Sequence, residues 1–261
     1  MSLQLDTLAY TNRLQKLPPE HKLVFALVVL IIALCTHPPV QLLIAVWMSV
    51  WTVVYARIPL GIYLRIVYLA ILFLITSLPA LIINGVSLTN LALIKTDIWR
   101  GMTIGNYYLY ISHSGIHSSF TILTRSLATI SCLYFVMLTV PFVEILAVMR
   151  RLGFPAILTE LLLLMYRFIF ILLTAASELW TAQQSRIGYR TWRVSMHSLS
   201  LLVGQLFRRT IEQYHQFSLG LAARGFNGEI RVVNSRHYQT SKRYAAEALL
   251  GCAVLIFFSF Y

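Results

Sequence analysis

The sequence predicts an all-α, polytopic membrane protein, with about five spanning helices and two long amphipathic helices on the cytoplasmic side. Three observations carry that prediction. Of the 261 residues, 58% are hydrophobic and 11% charged, whereas soluble domains carry about a quarter charged residues. Long apolar runs recur along the chain. The 21 lysines and arginines outnumber 9 acidic residues, for a net charge of +12, and they are spread very unevenly between those runs. In a soluble protein such an excess points to nucleic acid. Between apolar runs it marks loops held on the cytoplasmic side, so the expected partner is the lipid bilayer and not nucleic acid.

The runs are Leu23–Cys35, Val40–Tyr55, Ile62–Ile83, Leu127–Val140, Ile157–Ala176 and Tyr244–Tyr261. A spanning helix needs roughly 20 apolar residues, which Ile62–Ile83 supplies outright. The first two runs are shorter and are joined by His37-Pro38-Pro39, an uncharged helix breaker that predicts a tight helical hairpin or a re-entrant pair. No small-residue cleavage site follows the first run, which argues against a signal peptide. Cys35, Cys132 and Cys252 each sit within an apolar run with no partner at ligand spacing. They read as small buried side chains, not as a disulfide or metal framework.

Orientation follows from the basic residues. Arg13, Lys16 and Lys22 precede the first run, Arg57 and Arg65 flank the second connection, and thirteen more lie between Arg150 and Arg243. Only Lys95, Arg100 and Arg125 fall in or beside the long connection Asn84–Ser126. The positive-inside bias therefore predicts a cytoplasmic N-terminus and an external Tyr261, in the plasma membrane. It also divides the chain into a membrane-spanning region at 1–140, a cytoplasmic or surface-lying region at 141–243 and a last spanning helix at 244–261.

Ile157–Ala176 departs from this pattern. Arg150 and Arg151 precede it, and Arg186, Arg190 and Arg193 follow it. Both ends want the cytoplasm, which disfavours a simple crossing. At 100° per residue, Glu160, Arg167, Thr174, Glu178 and Ser185 fall within about 40° of one another. One polar stripe thus runs along an otherwise apolar helix, expected to lie on the inner surface or to plunge partway with the stripe against protein. A second helix, from about Val194 to Arg224, sets Leu199, Val203, Leu206, Thr210, Tyr214, Phe217 and Leu221 on one face and Gln205, Arg208, Arg209, Glu212 and Gln216 on another. It is amphipathic without the hydrophobicity of a span. Gly188 and Gly225 stand just past the two helical patterns, where a left-handed C-terminal residue is wanted.

The two helices thus end alike, in Ser185-Arg186-Ile187-Gly188 and Ala223-Arg224-Gly225, with their arginines 38 residues apart. Ala222-Ala223-Arg224-Gly225-Phe226-Asn227-Gly228-Glu229 resembles the second Ala-Arg-Gly motif of the transmembrane (T) component of energy-coupling-factor transporters, in the cobalt and nickel type called CbiQ. Met165-Tyr166-Arg167-Phe168, Glu178 and Ser185-Arg186-Ile187-Gly188 resemble that family's first motif, with Ser-Arg-Ile where the family has Ala-Arg-Gly. Leu5-Asp6-Thr7-Leu8-Ala9-Tyr10 through Lys22-Leu23 is similar to its start, so the resemblance covers nearly the whole chain.

The resemblance implies that two crossing coupling helices each dock one motif in a groove of an ATPase subunit. Ser185, Arg186 and Ile187 would form one docking end and Ala223, Arg224 and Gly225 the other. It implies a substrate-binding S component like CbiM, a small accessory membrane subunit and two ATPase subunits as partners. ATP would be used by those subunits, with no cofactor in this chain. An arginine suits such docking, because its planar, permanently charged fork grips a carboxylate bidentately. Small neighbours let the helix end approach closely.

Other constellations carry less. His113 and His117 stand four residues apart, a spacing two metal ligands can use, but Gly115 between them argues against a firm helix and no third ligand lies nearby. Glu160, Arg167 and Glu178 read either as a proton relay or as a structural ion-pair stripe, and the stripe is the reading we favour. The tract Asn84–Ser119 mixes tyrosines with polar residues, as interfacial helices or a short hairpin without an assigned role.

An intramembrane aspartyl protease would need paired aspartates within the spans, and the two aspartates, Asp6 and Asp97, lie outside them. His-Glu-x-x-His is absent, and none of the four lysines sits in a phosphate-binding loop. A catalytic role is therefore not expected. An autonomous secondary transporter would show repeated halves with broken helices, unlike this division into a membrane half and a helical cytoplasmic half.

Overall fold

In the computed structural model, the described residues are 2–87, 98–104, 107–186, 188–225, 238–239 and 241–260. They form two compact units, Met1–Glu144 with Arg236–Tyr261, and Ile145–Ser235.

The first unit is a helical bundle. Helix α1 (Ser2–Thr11) leads through a short 3-10 turn to α2 (Pro19–Cys35), which starts on a proline whose missing N–H costs nothing in the first turn. The Pro-Pro hairpin turns the chain into α3 (Pro38–Val50), which continues as a π-helical turn to Tyr55. Gln41 ties that hairpin to the bundle and is fully buried. Its Nε2 donates to the carbonyls of Ala33 (3.1 Å) and Thr36 (2.8 Å), while its Oε1 accepts from Thr124 Oγ1 (2.8 Å). A buried amide whose polar atoms are bonded in this way is a specifying contact, because leaving any of them unmade in this apolar setting is expensive.

Arg57 takes a left-handed φ of 56° at the bend before α4 (Leu60–Ile82). Most of the apolar side chains of α4 stay exposed, from Leu64 to Ile75, as suits a helix bathed in lipid. Between α4 and α5 (His113–Thr139) lies a three-stranded antiparallel sheet of β1 (Ile83–Ser87), β2 (Ile98–Ile104) and β3 (Tyr107–Ser112), in the order β1-β3-β2. The helical class expected from sequence holds, and this small sheet is an addition to it. Among the described residues of Asn84–Ser119, β2 and β3 pair as the expected hairpin, and residues 113–119 are helical. Tyr-Tyr-Leu-Tyr-Ile in β3 is a β-favouring run.

Helix α5 begins well before the apolar run at Leu127. Ser112 caps it, accepting from the Gly115 N–H at 3.0 Å, so Gly115 lies in a firm helical first turn and the expectation of a broken helix there is corrected. The far end of α5 is closed by the N-terminal segment. Asn12 Nδ2 donates to the carbonyls of Leu138 (3.4 Å) and Thr139 (3.3 Å), and Lys22 Nζ donates to Thr139 at 3.1 Å. Lys22 is only 4% exposed. Its positive charge meets the negative end of the α5 dipole, which offsets part of its desolvation.

The core gathers Phe25, Trp47, Trp51 and Phe135, with Phe25 5.1–5.7 Å from the other three ring centroids. Helix α9 (Lys242–Phe260) belongs to this unit, and Gly251 lets it lie against Trp47, whose ring any Cβ there would overlap.

Helix α6 (Phe142–Arg151) runs across the boundary between the units and ends on Gly153, whose φ of 91° and the Phe154 N–H bond to the Met149 carbonyl (3.2 Å) form a left-handed helix stop. The second unit is then built on α7 (Ala156–Ser185) and α8 (Trp192–Ala223). Among the described residues four helical segments are long and apolar enough to cross a membrane: Pro38–Tyr55, Leu60–Ala80, Gly115–Thr139 and Ala156–Ser185. Three of these coincide with expected spans. The fourth is α7, which length and composition qualify despite the basic residues at both ends. The first and last expected runs, in α2 and α9, are not among these four, and α2 is only 17 residues long.

Candidate functional site

The site is the α7–α8 hairpin. The two helices run antiparallel, because contacts pair late α7 with early α8 and early α7 with late α8. Gln183 Nε2 donates to the Ser198 carbonyl at 3.0 Å, Arg209 Nη1 bonds Glu178 Oε2 at 3.0 Å, and the Phe168 and Phe217 rings meet edge-on at 6.2 Å. Arg186 and Arg224 therefore stand at opposite ends of the pair, roughly 40 Å apart at about 1.5 Å per helical residue.

Both arginines are exposed, as are Ser185, Ala223 and Gly225. Each ends its helix in the same way. Arg186 has φ −95° and ψ 17° and donates its N–H to the Gln183 carbonyl, while Arg224 has φ −94° and ψ 11° and donates to Leu221. Gly225 takes the expected left-handed φ of 68°, with no atom of the described residues within 4 Å of where a Cβ would stand. Gly188 does not take that conformation, and the expectation for it is corrected. Its N–H bonds the Gln183 carbonyl five residues back (3.0 Å), one position beyond the usual glycine. A side chain is excluded there by crowding, since a Cβ would stand 2.8 Å from Ser198 Oγ and 2.9 Å from the Gln183 oxygen. Ile187 and the segment Phe226–Glu229 lie outside the described residues.

Two residues of the polar stripe of α7 meet α8. Glu178 pairs with Arg209, and the Arg167 guanidinium lies 5.5 Å from the centroid of the Phe217 ring, a cation–π contact. Glu160 is half-buried, with its Oε1 lacking a hydrogen-bond partner among the described residues. Thr174 and Ser185 turn their hydroxyls back onto the carbonyls of Phe170 and Thr181. Between the helices is a groove of about 190 Å³, apolar on the α7 side with Phe168, Ile171 and Leu172, and polar on the α8 side with Arg209, Glu212 and Gln216. Outside it, Ile157, Leu161, Met165, Ile169 and Leu173 form an exposed apolar row along α7, and Val203, Phe207 and Ile211 are exposed on α8. Apolar surface on that scale is a place for lipid or a partner.

Of the histidine pair, His113 opens α5 and His117 is exposed one turn on. No group of three or more His, Cys, Asp or Glu side chains gathers among the described residues.

A family model described as CbiQ, cobalt transport protein, matches residues 11–238. The chain belongs to that family. It is 28% identical over 239 residues to the cobalt transport protein CbiQ of Salmonella typhimurium, covering 87% of this chain and 99% of that one. It is 30% identical over 233 residues to the CbiQ of Rhodobacter capsulatus, covering 89% and 88%. It is also 28% identical over 226 residues to a putative fused cobalt transport protein CbiMQ of Methanocorpusculum labreanum, covering 86% of this chain and 36% of that one. With its long apolar helices, this member of the CbiQ family is a multi-pass membrane protein. Gln183 and Ser198, which hold the turn after α7, carry no sequence signal, since their contacts join two helices and follow no short motif.

Proposed function

We propose that the chain is the transmembrane coupling subunit of an ATP-driven metal-ion importer of the energy-coupling-factor kind, with cobalt or nickel as cargo. One observation carries this reading. Two exposed arginines, each preceded by a small residue, close two long antiparallel helices in the same backbone conformation at opposite ends of the pair. Two like ends suit two like partners, and each arginine can enter a carboxylate-lined groove of one ATPase subunit. Closure of the ATPase pair then shifts both helix ends, and the hairpin carries that motion to a substrate-binding membrane component, which tilts and releases its cargo.

The apolar rows of α7 and α8 are the surface for that component or for lipid. The fused relative, whose name joins CbiM to CbiQ in one chain, supports a CbiM-like partner, with a small accessory membrane subunit beside it. The basic residues set the N-terminus and the hairpin on the cytoplasmic side. ATP belongs to the partner subunits, and this chain holds no cofactor and does no catalysis. The test is co-purification with the products of neighbouring genes followed by metal uptake. A complex with two ATPase subunits that imports cobalt or nickel supports the reading, and import by the chain alone overturns it.

A further inference from the structure

We propose that Gln183, Tyr189 and Ser198 form a positioning set that holds Arg186 in its docking geometry, an inference that rests on the coupling reading above. Gln183 is the centre of the turn between α7 and α8. Its carbonyl accepts from the N–H of Arg186 (3.1 Å) and of Gly188 (3.0 Å). Its side-chain Oε1 accepts from the Tyr189 hydroxyl at 2.6 Å, and its Nε2 donates to the Ser198 carbonyl at 3.0 Å. Ser198 Oγ returns to the turn, donating to the Gly188 carbonyl at 2.7 Å. Trp180 stacks on Tyr189 with centroids 4.2 Å apart and planes 24° from parallel.

One residue thus ties the backbone around Arg186 to both helices, while the arginine side chain itself stays exposed. Ser198 is 7% exposed, so the anchor is buried although the docking group is not. Gly188 fits the same scheme, because the close approach of Ser198 Oγ and the Gln183 carbonyl leaves no room for a Cβ. Holding the backbone still before docking removes an ordering cost from the association. At Arg224 the corresponding bonds, from Arg224 to Leu221 and from Gly225 to Ala222, are backbone bonds within α8 and its cap. A defect in Gln183 is therefore felt at the first docking end only.

A double-mutant cycle separates positioning from a general structural role. The chain is co-expressed with its two ATPase subunits, and association is measured in lipid nanodiscs. Gln183→Leu is expected to weaken association about tenfold, the order set by losing two hydrogen bonds. It should do so equally in an Arg224→Ala background, but by less than about twofold once Arg186 is alanine, because nothing is left to position. Amide exchange at residues 186–189 should quicken in step.

Tyr189→Phe removes only the hydroxyl and keeps the stacked ring. It serves if Gln183→Leu fails to insert, with a loss of about threefold and the same background dependence. Equal losses in the Arg186→Ala and Arg224→Ala backgrounds overturn the positioning role while leaving the coupling reading intact, and so does unchanged association despite faster exchange. If Arg186→Ala alone binds like the parent, the coupling reading itself falls and the positioning role goes with it.

Discussion

Arg186 and Arg224 share one backbone conformation, φ −95° and ψ 17° against φ −94° and ψ 11°, although isoleucine follows the first and glycine the second. Each donates its N–H to the carbonyl three residues back, so the two helices end in the same backbone turn. The similarity is reached by different means. After Arg224, Gly225 adopts a left-handed φ of 68°, while after Arg186 the turn is held by Gln183 and a glycine that has no room for a side chain.

The Gly225 ending predicts a purely conformational cost. With no described residue within 4 Å of a Cβ there, Gly225→Ala should destabilise the end of α8 by about 1–2 kcal/mol, the cost of a left-handed residue carrying a side chain. Gly225→Asn should recover much of it. Amide exchange in the last turn of α8 reads this directly, and equal exchange in the alanine variant and the parent would contradict it.

At the closed end of α5, Lys22→Met should lower stability by about 1–3 kcal/mol, because the buried Thr139 carbonyl loses its charged donor. Asn12→Ala should act in the same direction. Lys16→Met, at an exposed position, should change little. Thermal unfolding in detergent separates the three, and identical melting of the Lys22 and Lys16 variants would count against the cap.

The course of α7 and α8 was legible because amphipathic period and punctuating basic residues act locally. The predicted helix from Val194 to Arg224 differs from α8, Trp192–Ala223, by two residues at most. The start of α5 was hidden, because His-Ser-Gly-Ile-His-Ser-Ser is polar and its cap, Ser112, lies in a strand that leads directly into it. The sheet was hidden for a similar reason, since its register pairs Ile83 with Ile111 and depends on distant residues. Lys22 read as a cytoplasmic charge, and nothing near it in sequence reveals a partner 117 residues away. At the candidate site both arginines were legible from their motifs. Gln183 was not, because its bonds to Ser198 and Tyr189 are made by the fold.

The charge distribution predicts topology. In a chain whose three cysteines, Cys35, Cys132 and Cys252, are replaced, Asn234→Cys should react only with label applied from the cytoplasm. Asn106→Cys should react only from outside. Both positions lie outside the described residues, so the expectation rests on the positive-inside bias alone. Labelling at position 234 from outside intact cells would invert the orientation.

His113 and His117 are predicted bystanders. Replacing both by alanine should leave metal transport by the assembled complex within about twofold of the parent, whereas disturbing a true metal site typically costs 10–100-fold. Tight cobalt or nickel binding by the isolated chain that vanishes in the double variant would make this protein a participant in cargo selection.

In the proposed coupling role, the two like-ended arginines dock the ATPase subunits. Arg186→Ala combined with Arg224→Ala should leave membrane insertion intact and abolish stable ATPase association and uptake. Losing one partner of a buried interfacial charge pair costs about 2–5 kcal/mol at each end. Arg193→Ala, exposed but outside both helix ends, is the control and should bind and transport like the parent. The measurement is the affinity of the purified chain for its ATPase subunits in nanodiscs. Affinity is expected to fall at each single substitution and to be lost in the double variant but kept in Arg193→Ala, and unchanged affinity in the double variant would overturn the coupling role.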